Sequence, residues 1–555
     1  MQNTSRTRLI FFGIVGLAVL VICGAIIWSI ASQFTIASID PTPEGVAVAT
    51  ATTAAGTGAQ TGSNDNSNVT LDSPDPIFAP DYDPNDGLPT YICGADAFGS
   101  YFTLQQMQMS GADVENGFHL GIVPFFLDED PAYDVSEELR TALLDNGQWD
   151  CLLTTLDSVA LSSPGVITAI VDESAGADQL WVRGEQATIN DLQDKRIAFA
   201  RNSVGEYFVY YTLSIARLNP RFDVTLVPQD SVADAVAAFN NGQADAVSGW
   251  EPDIYDAESS GGVPLLSSSQ MRIVIDVIVT SRQSINNKAD LVQNFHNAWF
   301  ASLKAQVEDF DTAAQQIAEW GHNDWSFVYP ETASEDFELW LESVAQADLG
   351  DNAAVMRDIR PIENRLQIAR RVWAAAGLEV PEGEVVDLID PGFVARAAQQ
   401  ASLASTGTPV NDTFSIAAQL DLTEISPNTD AATLAVLPCR RFTFLPESTE
   451  MTLESRRILD DCVVPTMSQS VGLLLQVEGS SAWPGPPGTF TEQEILEFSE
   501  ARAQSVVDYL VSQGIDPARF IVSATLPPED HRETEDPQIQ AEDRFVEMTL
   551  ITVGR

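Results

Sequence analysis

At 555 residues with 45% hydrophobic content, the chain is long enough for two or three domains, each with a sizeable core. It carries 28 basic against 80 acidic residues, a formal net charge of −52, and its only lysines are Lys195, Lys288 and Lys304. Such a surface excludes nucleic acid and anionic lipid headgroups, because phosphate binding needs clustered Lys and Arg; it suits a salty medium or the collection of cations and basic partners.

The chain opens with a short tail, 1–8, in which Arg6 and Arg8 precede the apolar run Leu9–Ile30. About 22 residues without a charge are enough to cross a bilayer core as a helix. The span 9–31 is therefore expected to be an N-terminal transmembrane anchor in the cytoplasmic membrane. The arginine pair keeps the tail inside and the rest of the chain outside the cytoplasm. A lipoprotein signal ending at Cys23 is the rival, but Ile22 stands where a small residue is wanted. A cleaved ordinary signal is a further alternative, although the run is long for one.

Residues 32–88 are rich in Ala, Thr, Gly, Ser and Asn without a period, and read as a flexible tether. From Pro89 strands and helices alternate. "TYIC", "FHLGIVPFF", "QWDCLLT" and "VITAIVD" read as strands, with helices at "YFTLQQMQM" and "VSEELRTALLDNG". "ATINDLQDKRIAFA" leads into the helix "SVGEYFVYYTLSIARL"; "FDVTLVP", "VADAVAAFNNG" and "ADAVSGW" continue as strand, helix, strand. "MRIVIDVIVTS" returns as a strand before a long helical run. This βα rhythm predicts doubly wound α/β sheets.

A second Ala-, Ser- and Thr-rich segment, 403–435, separates this from a last domain, 436–555, with strands and helices of its own. Its main helix begins near Phe498, carries Ala503, Val506, Val507, Leu510 and Val511 on one face, and stops at Gly514. Cys93, Cys151, Cys439 and Cys462 fall as one pair in each domain; two local disulfides and four buried thiols are both open readings, and no zinc spacing is present.

The middle of the chain, about 89–400, resembles the substrate-binding proteins of ABC importers of the nitrate/sulfonate/taurine type. The resemblance rests on "DNGQWDCLLTTLDSVA", "IVDESAGADQLWV", and "DLQDKRIAFARNSVGEYFVYYTL" followed by "AAFNNGQADAVSGWEPD". It implies a two-lobed periplasmic-binding-protein fold over 89–402. Lobe one would comprise 89–182 and 275–402, and lobe two 183–274, with a small-molecule solute between them and ABC permease subunits as partners. Three loops would then face the ligand: Thr154, Thr155, Asp157 and Ser158; Asn202, Ser203 and Val204; Trp250, Glu251 and Asp253. Ser203 also reads as a helix N-cap boxed with Glu206. Asp172 and Asp178 read as turn caps or ligand contacts, and Arg183 and Arg201 as the nearby cations. Asp157, Glu206, Glu251 and Asp253 on cleft loops disfavour an inorganic anion and suit an amine-bearing, zwitterionic or neutral ligand.

The last domain resembles the C-terminal α+β fold of OmpA-type peptidoglycan-binding domains, on "FSEARAQSVVDYLVSQGI", "VEGSSAWPGPPGTF" and "DRFVE". The resemblance implies peptidoglycan as a partner, with Arg502 matching the arginine that holds the stem-peptide carboxylate. The aspartate that would hold the amine is replaced by Ala482. An enzyme is not expected. His119, His296, His322 and His531 lie near no candidate nucleophile or metal spacing, and no motif implies a cofactor. The chain thus reads as a membrane-anchored extracytoplasmic binding protein, the alternative being an envelope tether or sensor built on the binding fold.

Overall fold

The computed structural model describes residues 71–553, apart from 128–129, 185–187, 406, 412–413, 415–430 and 470–472. The expected membrane span lies outside the described residues. Among the described residues no helix is long and apolar enough to cross a membrane.

The first sheet is built from β1 (Thr90–Ala95), β2 (His119–Pro124), β3 (Cys151–Thr155) and β4 (Val166–Ser174). Two late strands, β10 (Ile275–Thr280) and β11 (Val344–Gln346), return to it, giving the order β11-β4-β10-β3-β1-β2. β1, β2 and β3 run parallel, and β10 runs antiparallel between β3 and β4. Every residue of β2, β4 and β10 is buried, as expected of a sheet covered on both faces. The covering helices include α1 (Thr103–Ser110), α2 (Glu137–Asp145), α3 (Leu156–Ser162) and, after β10, α6 (Ala289–Glu308) and α7 (Arg360–Ala376). Cys93 and Cys151 are register partners on β1 and β3 and are disulfide-bonded, with Cα atoms 4.6 Å apart.

The second sheet has the order β7-β6-β8-β5-β9, from β5 (Asp178–Arg183), β6 (Arg196–Ala200), β7 (Thr225–Gln229), β8 (Ala246–Trp250) and β9 (Gly262–Ser267). Helices α4 (Val204–Ile215) and α5 (Val232–Asn240) connect its parallel strands. The sequence places the passage between lobes after Val182. It falls instead at 175–177, because β5 hydrogen-bonds to β8 and β9. The return passage is 268–274. Ser268 joins the two: its Oγ lies 2.7 Å from Ser174 Oγ and accepts the Gly176 N–H at 2.9 Å. Arg272 on the return passage pairs with the buried Glu173 at 3.1 Å.

The expected tether to residue 88 is too long. From Leu71 onward the chain is tied to lobe one. Ile77 and Ile122 exchange backbone hydrogen bonds, Trp149 donates to Ser73 Oγ at 3.0 Å, and Phe78 stacks on Tyr82 at 4.1 Å. Three apolar anchors within the Pro- and Asp-rich stretch explain this: Ile77, Phe78 and Tyr82 cover the edge strand β2.

The last domain folds around a third sheet, β12-β16-β14-β15 with β13 paired to β16. Its strands are β12 (Ala431–Ala435), β13 (Arg441–Thr443), β14 (Leu474–Ser480), β15 (Phe520–Thr525) and β16 (Phe545–Val553). β12 belongs to the segment read as a linker; Ala, Thr and Leu gave it no strand signature, and pairing with β16 decides it. A helical stretch over 453–469 precedes β14, and Cys462 within it is bonded to Cys439. Helix α8 (Glu492–Ser512) starts at a Thr491–Glu494 capping box, earlier than expected, and Gly514 follows it at φ 92°. It lies so close to β14 that a Cβ on Gly479 would sit 1.9 Å from the Ser499 carbonyl oxygen. The domain packs on lobe two, where the Asn190 amide exchanges hydrogen bonds of 3.0 and 2.7 Å with the Val436 backbone.

Candidate ligand site between the lobes

The loop after β3 meets lobe two directly. Thr155 precedes α3 and its Oγ1 lies 3.0 Å from Ser158 Oγ. Asp157 occupies the first turn of α3 and is 2% exposed. Trp373 of α7 donates its indole N–H to the Asp157 carbonyl at 3.0 Å, and the rings of Tyr207 and Tyr210 of α4 lie 5.6 and 5.8 Å from Trp373. Thr154, on β3 beside Val277, is half-buried.

Around this point the structure gathers carboxyls that a reading of cleft loops does not reach. Asp276 in β10 is the register partner of both Asp172 in β4 and Thr155 in β3. The Tyr101 hydroxyl donates to Asp276. Asp178 opens β5, opposite Trp250. Asp172, Asp178 and Asp276 are all at most 3% exposed. Neither carboxylate oxygen of Asp157 or of Asp172 meets a hydrogen-bond donor within the geometry of an ordinary bond.

Such burial disfavours the charged form. It pushes Asp157 up to about 7, against the Thr155 hydroxyl, with Asp276 and Glu137 adding repulsion. Burial pushes Asp178 up to about 8, and Asp276, Asp157 and Glu251 raise it further. Asp172 and Asp276 are both raised by burial; Asp276 holds its proton the more firmly and offers it to Asp172. Two adjoining buried carboxylates cannot both ionise without a counter-charge. Two neighbouring cations are paired with other acids: Arg272 with Glu173, next to Asp172, and Arg140 with Glu137.

Lobe two brings its own loops to the seam. Ser203 does cap α4, through Gly205 N–H at 3.1 Å, but without the expected box. Glu206 instead accepts the Asn202 N–H at 2.6 Å and the Tyr210 hydroxyl at 2.6 Å, because Asn202 turns through φ 55° and presents its own amide to the helix end. The Asn202 side chain reaches Glu138 of lobe one at 3.2 Å. Val204, the first residue of α4, is half-buried. Trp250 is half-buried at the end of β8. Glu251 accepts from the Tyr255 hydroxyl, while Asp253 is exposed. Arg183 is not a cleft cation. It ends β5 at the far side of lobe two, with its guanidinium 4.4 Å from the Phe239 ring. Arg201 faces Asp230 at 3.5 Å on the surface.

To the residues expected at the seam the structure adds Tyr101 and Asp276, and it brings Asp172 and Asp178, read as turn caps or ligand contacts, beside them. The available signal was an acid inside an otherwise apolar strand, "IVIDVIVT".

No family model and no curated protein matches the chain. Among solved structures it is similar to the alkanesulfonate-binding protein SsuA of Xanthomonas axonopodis pv. citri bound to MOPS, at 18% identity over 54% of this chain and 98% of that one (TM-score 0.41). It is also similar to a putative periplasmic sulfonate-binding protein of Methylobacillus flagellatus, at 16% identity over 58% and 97% of the two chains (TM-score 0.43). A third is the periplasmic nitrate-binding protein NrtA of Synechocystis, at 12% identity over 58% and 92% (TM-score 0.42).

Proposed function

We propose that the chain is an extracytoplasmic solute-binding protein that captures a small polar molecule between its two lobes and hands it to an ABC importer. The observation that carries this reading is the seam itself. Strand ends and helix starts of two separate sheets converge there, the chain crossing between them at 175–177 and 268–274, and the carboxylate oxygens of Asp157 and Asp172 meet no donor in ordinary hydrogen-bond geometry. Closure about two such passages is a hinge motion that encloses a ligand. The ligand would touch the loops of Thr154–Ser158, Asn202–Val204 and Trp250–Asp253. The N-terminal apolar run would anchor the chain in the cytoplasmic membrane, and the last domain would serve envelope association as an OmpA-like module.

The test is calorimetry on the whole protein with a panel of small polar solutes. Saturable one-site binding supports the reading; a flat response to every class contradicts it. A sensor is the second reading, favoured by the Asn190–Val436 contacts, which tie the last domain to a lobe that moves on closure. Protease sensitivity of the last domain that changes when solute binds would support it.

A further inference from the structure

We propose that the solute held at this seam carries a positive charge, an organic ammonium ion seated among Asp157, Asp172, Asp178 and Asp276, and that the site rejects sulfonates, nitrate and phosphate. The inference rests on the solute-binding reading and deepens it.

Four carboxyls from both sides of the hinge meet at one place. Asp157 starts a helix of lobe one, Asp172 and Asp276 face each other on neighbouring strands, and Asp178 opens the first strand of lobe two. An acidic cluster alone needs no ligand. Here, however, both oxygens of Asp157 and both of Asp172 are buried with no donor in ordinary hydrogen-bond geometry, and the groups beside them, the Thr155 hydroxyl for Asp157 and Ser100 and Asp276 for Asp172, are all uncharged or acidic. A buried carboxylate in that condition costs heavily unless a charge and hydrogen-bond donors reach it. Among the described residues no lysine or arginine forms an ion pair with any of the four; Arg272 pairs with Glu173, the neighbour of Asp172 in the chain. An ammonium group supplies what is missing, a unit charge together with N–H donors.

The features an anion would use are already occupied. The first turn of α3 holds Asp157, and that of α4 holds Glu206, whose carboxylate takes the Asn202 N–H. Each helix start therefore presents a negative charge where an anion would need free N–H groups. Aromatic faces stand beside the acids: Tyr101, bonded to Asp276, packs edge-on to Phe98 at 5.4 Å, and ring faces attract cations.

The experiment is calorimetry on the full chain at pH 8 with choline, putrescine, glycine betaine, methanesulfonate, nitrate and phosphate, repeated with Asp157→Asn and Asp172→Asn. Choline or putrescine is expected to bind, the three anions are not, and each variant should weaken the cation at least tenfold while melting no lower than the parent. Saturable binding of an anion would overturn the charge assignment and leave the solute-binding reading standing. Cation binding that both variants retain at full strength would place the cation elsewhere and overturn the assignment to these acids. Silence from all six would overturn both readings.

Discussion

Asp172 and Asp276 face each other on adjacent buried strands, at the point where the chain passes from one lobe to the other. Each sits in a strand whose every residue is buried, and the Tyr101 hydroxyl is the donor that reaches Asp276. A pair of acids in that place is a cost to the empty protein, and the cost is removed by a proton or by a bound cation.

The stability of the ligand-free protein should therefore fall as pH rises. Asp157 and Asp178 are raised from 3.8 to about 7 and about 8. A raised folded-state value means stability fully present below about pH 4 and lost as pH climbs through 7 to 8. Asp276 and Glu137 act on Asp157; Asp276, Asp157 and Glu251 act on Asp178; Thr155 and Ser174 oppose them. Thermal melts between pH 5 and 8.5 should show a steeper decline for the parent than for Asp157→Asn/Asp178→Asn. Equal slopes would remove these acids from the explanation.

Trp250 ends β8 opposite Asp178 and is half-buried. Trp250→Ala should weaken solute binding about tenfold or more, since loss of an anchoring aromatic contact costs on the order of 1–3 kcal/mol. The check is the dissociation constant at fixed pH, with melting of the empty protein as a control for folding.

Arg502, matched by resemblance to the arginine that holds the stem-peptide carboxylate, is turned into its own domain. It is 1% exposed and donates to the carbonyls of Leu445, Ser448 and Ser480 and to Ser481 Oγ. Burial lowers its pKa to about 10. Arg502→Ala should destabilise the last domain by roughly 1–3 kcal/mol, because carbonyls are left without donors. In pull-downs with purified sacculi the unmodified protein should bind weakly, because Ala482 offers no acid for the amine; Ala482→Asp should strengthen it.

The Cys93–Cys151 bond joins two neighbouring buried strands of lobe one. Replacing both cysteines by Ala should lower stability by about 2–5 kcal/mol, the usual loss for a native disulfide. Denaturant titration of the parent and the double variant measures it directly.

Much of the fold was legible because its signals are local. Alternating apolar runs and helical faces marked β1 to β4, β6 to β8, β10, and helices α1, α2, α4 and α5. β9 was not, since "GVPLLS" contains a proline and takes the sheet edge, where proline is tolerated. β12 depends on pairing with β16, far away in sequence. The candidate site divides in the same way. Thr155, Asp157, Ser203 and Trp250 stand at strand ends that the sequence marks. Asp276 could not be matched with Asp172 until β10 was seen to insert between β3 and β4, a non-local pairing.

Hydrogen–deuterium exchange tests the interlobe site most directly. The full chain would be compared with and without a saturating amount of the tightest cation from the calorimetric panel. Slowed exchange confined to the segments around Tyr101, Asp157, Asn202, Trp250 and Asp276 is the predicted result. Protection that spares these segments and appears on an outer face of either lobe, or in the last domain, would contradict it.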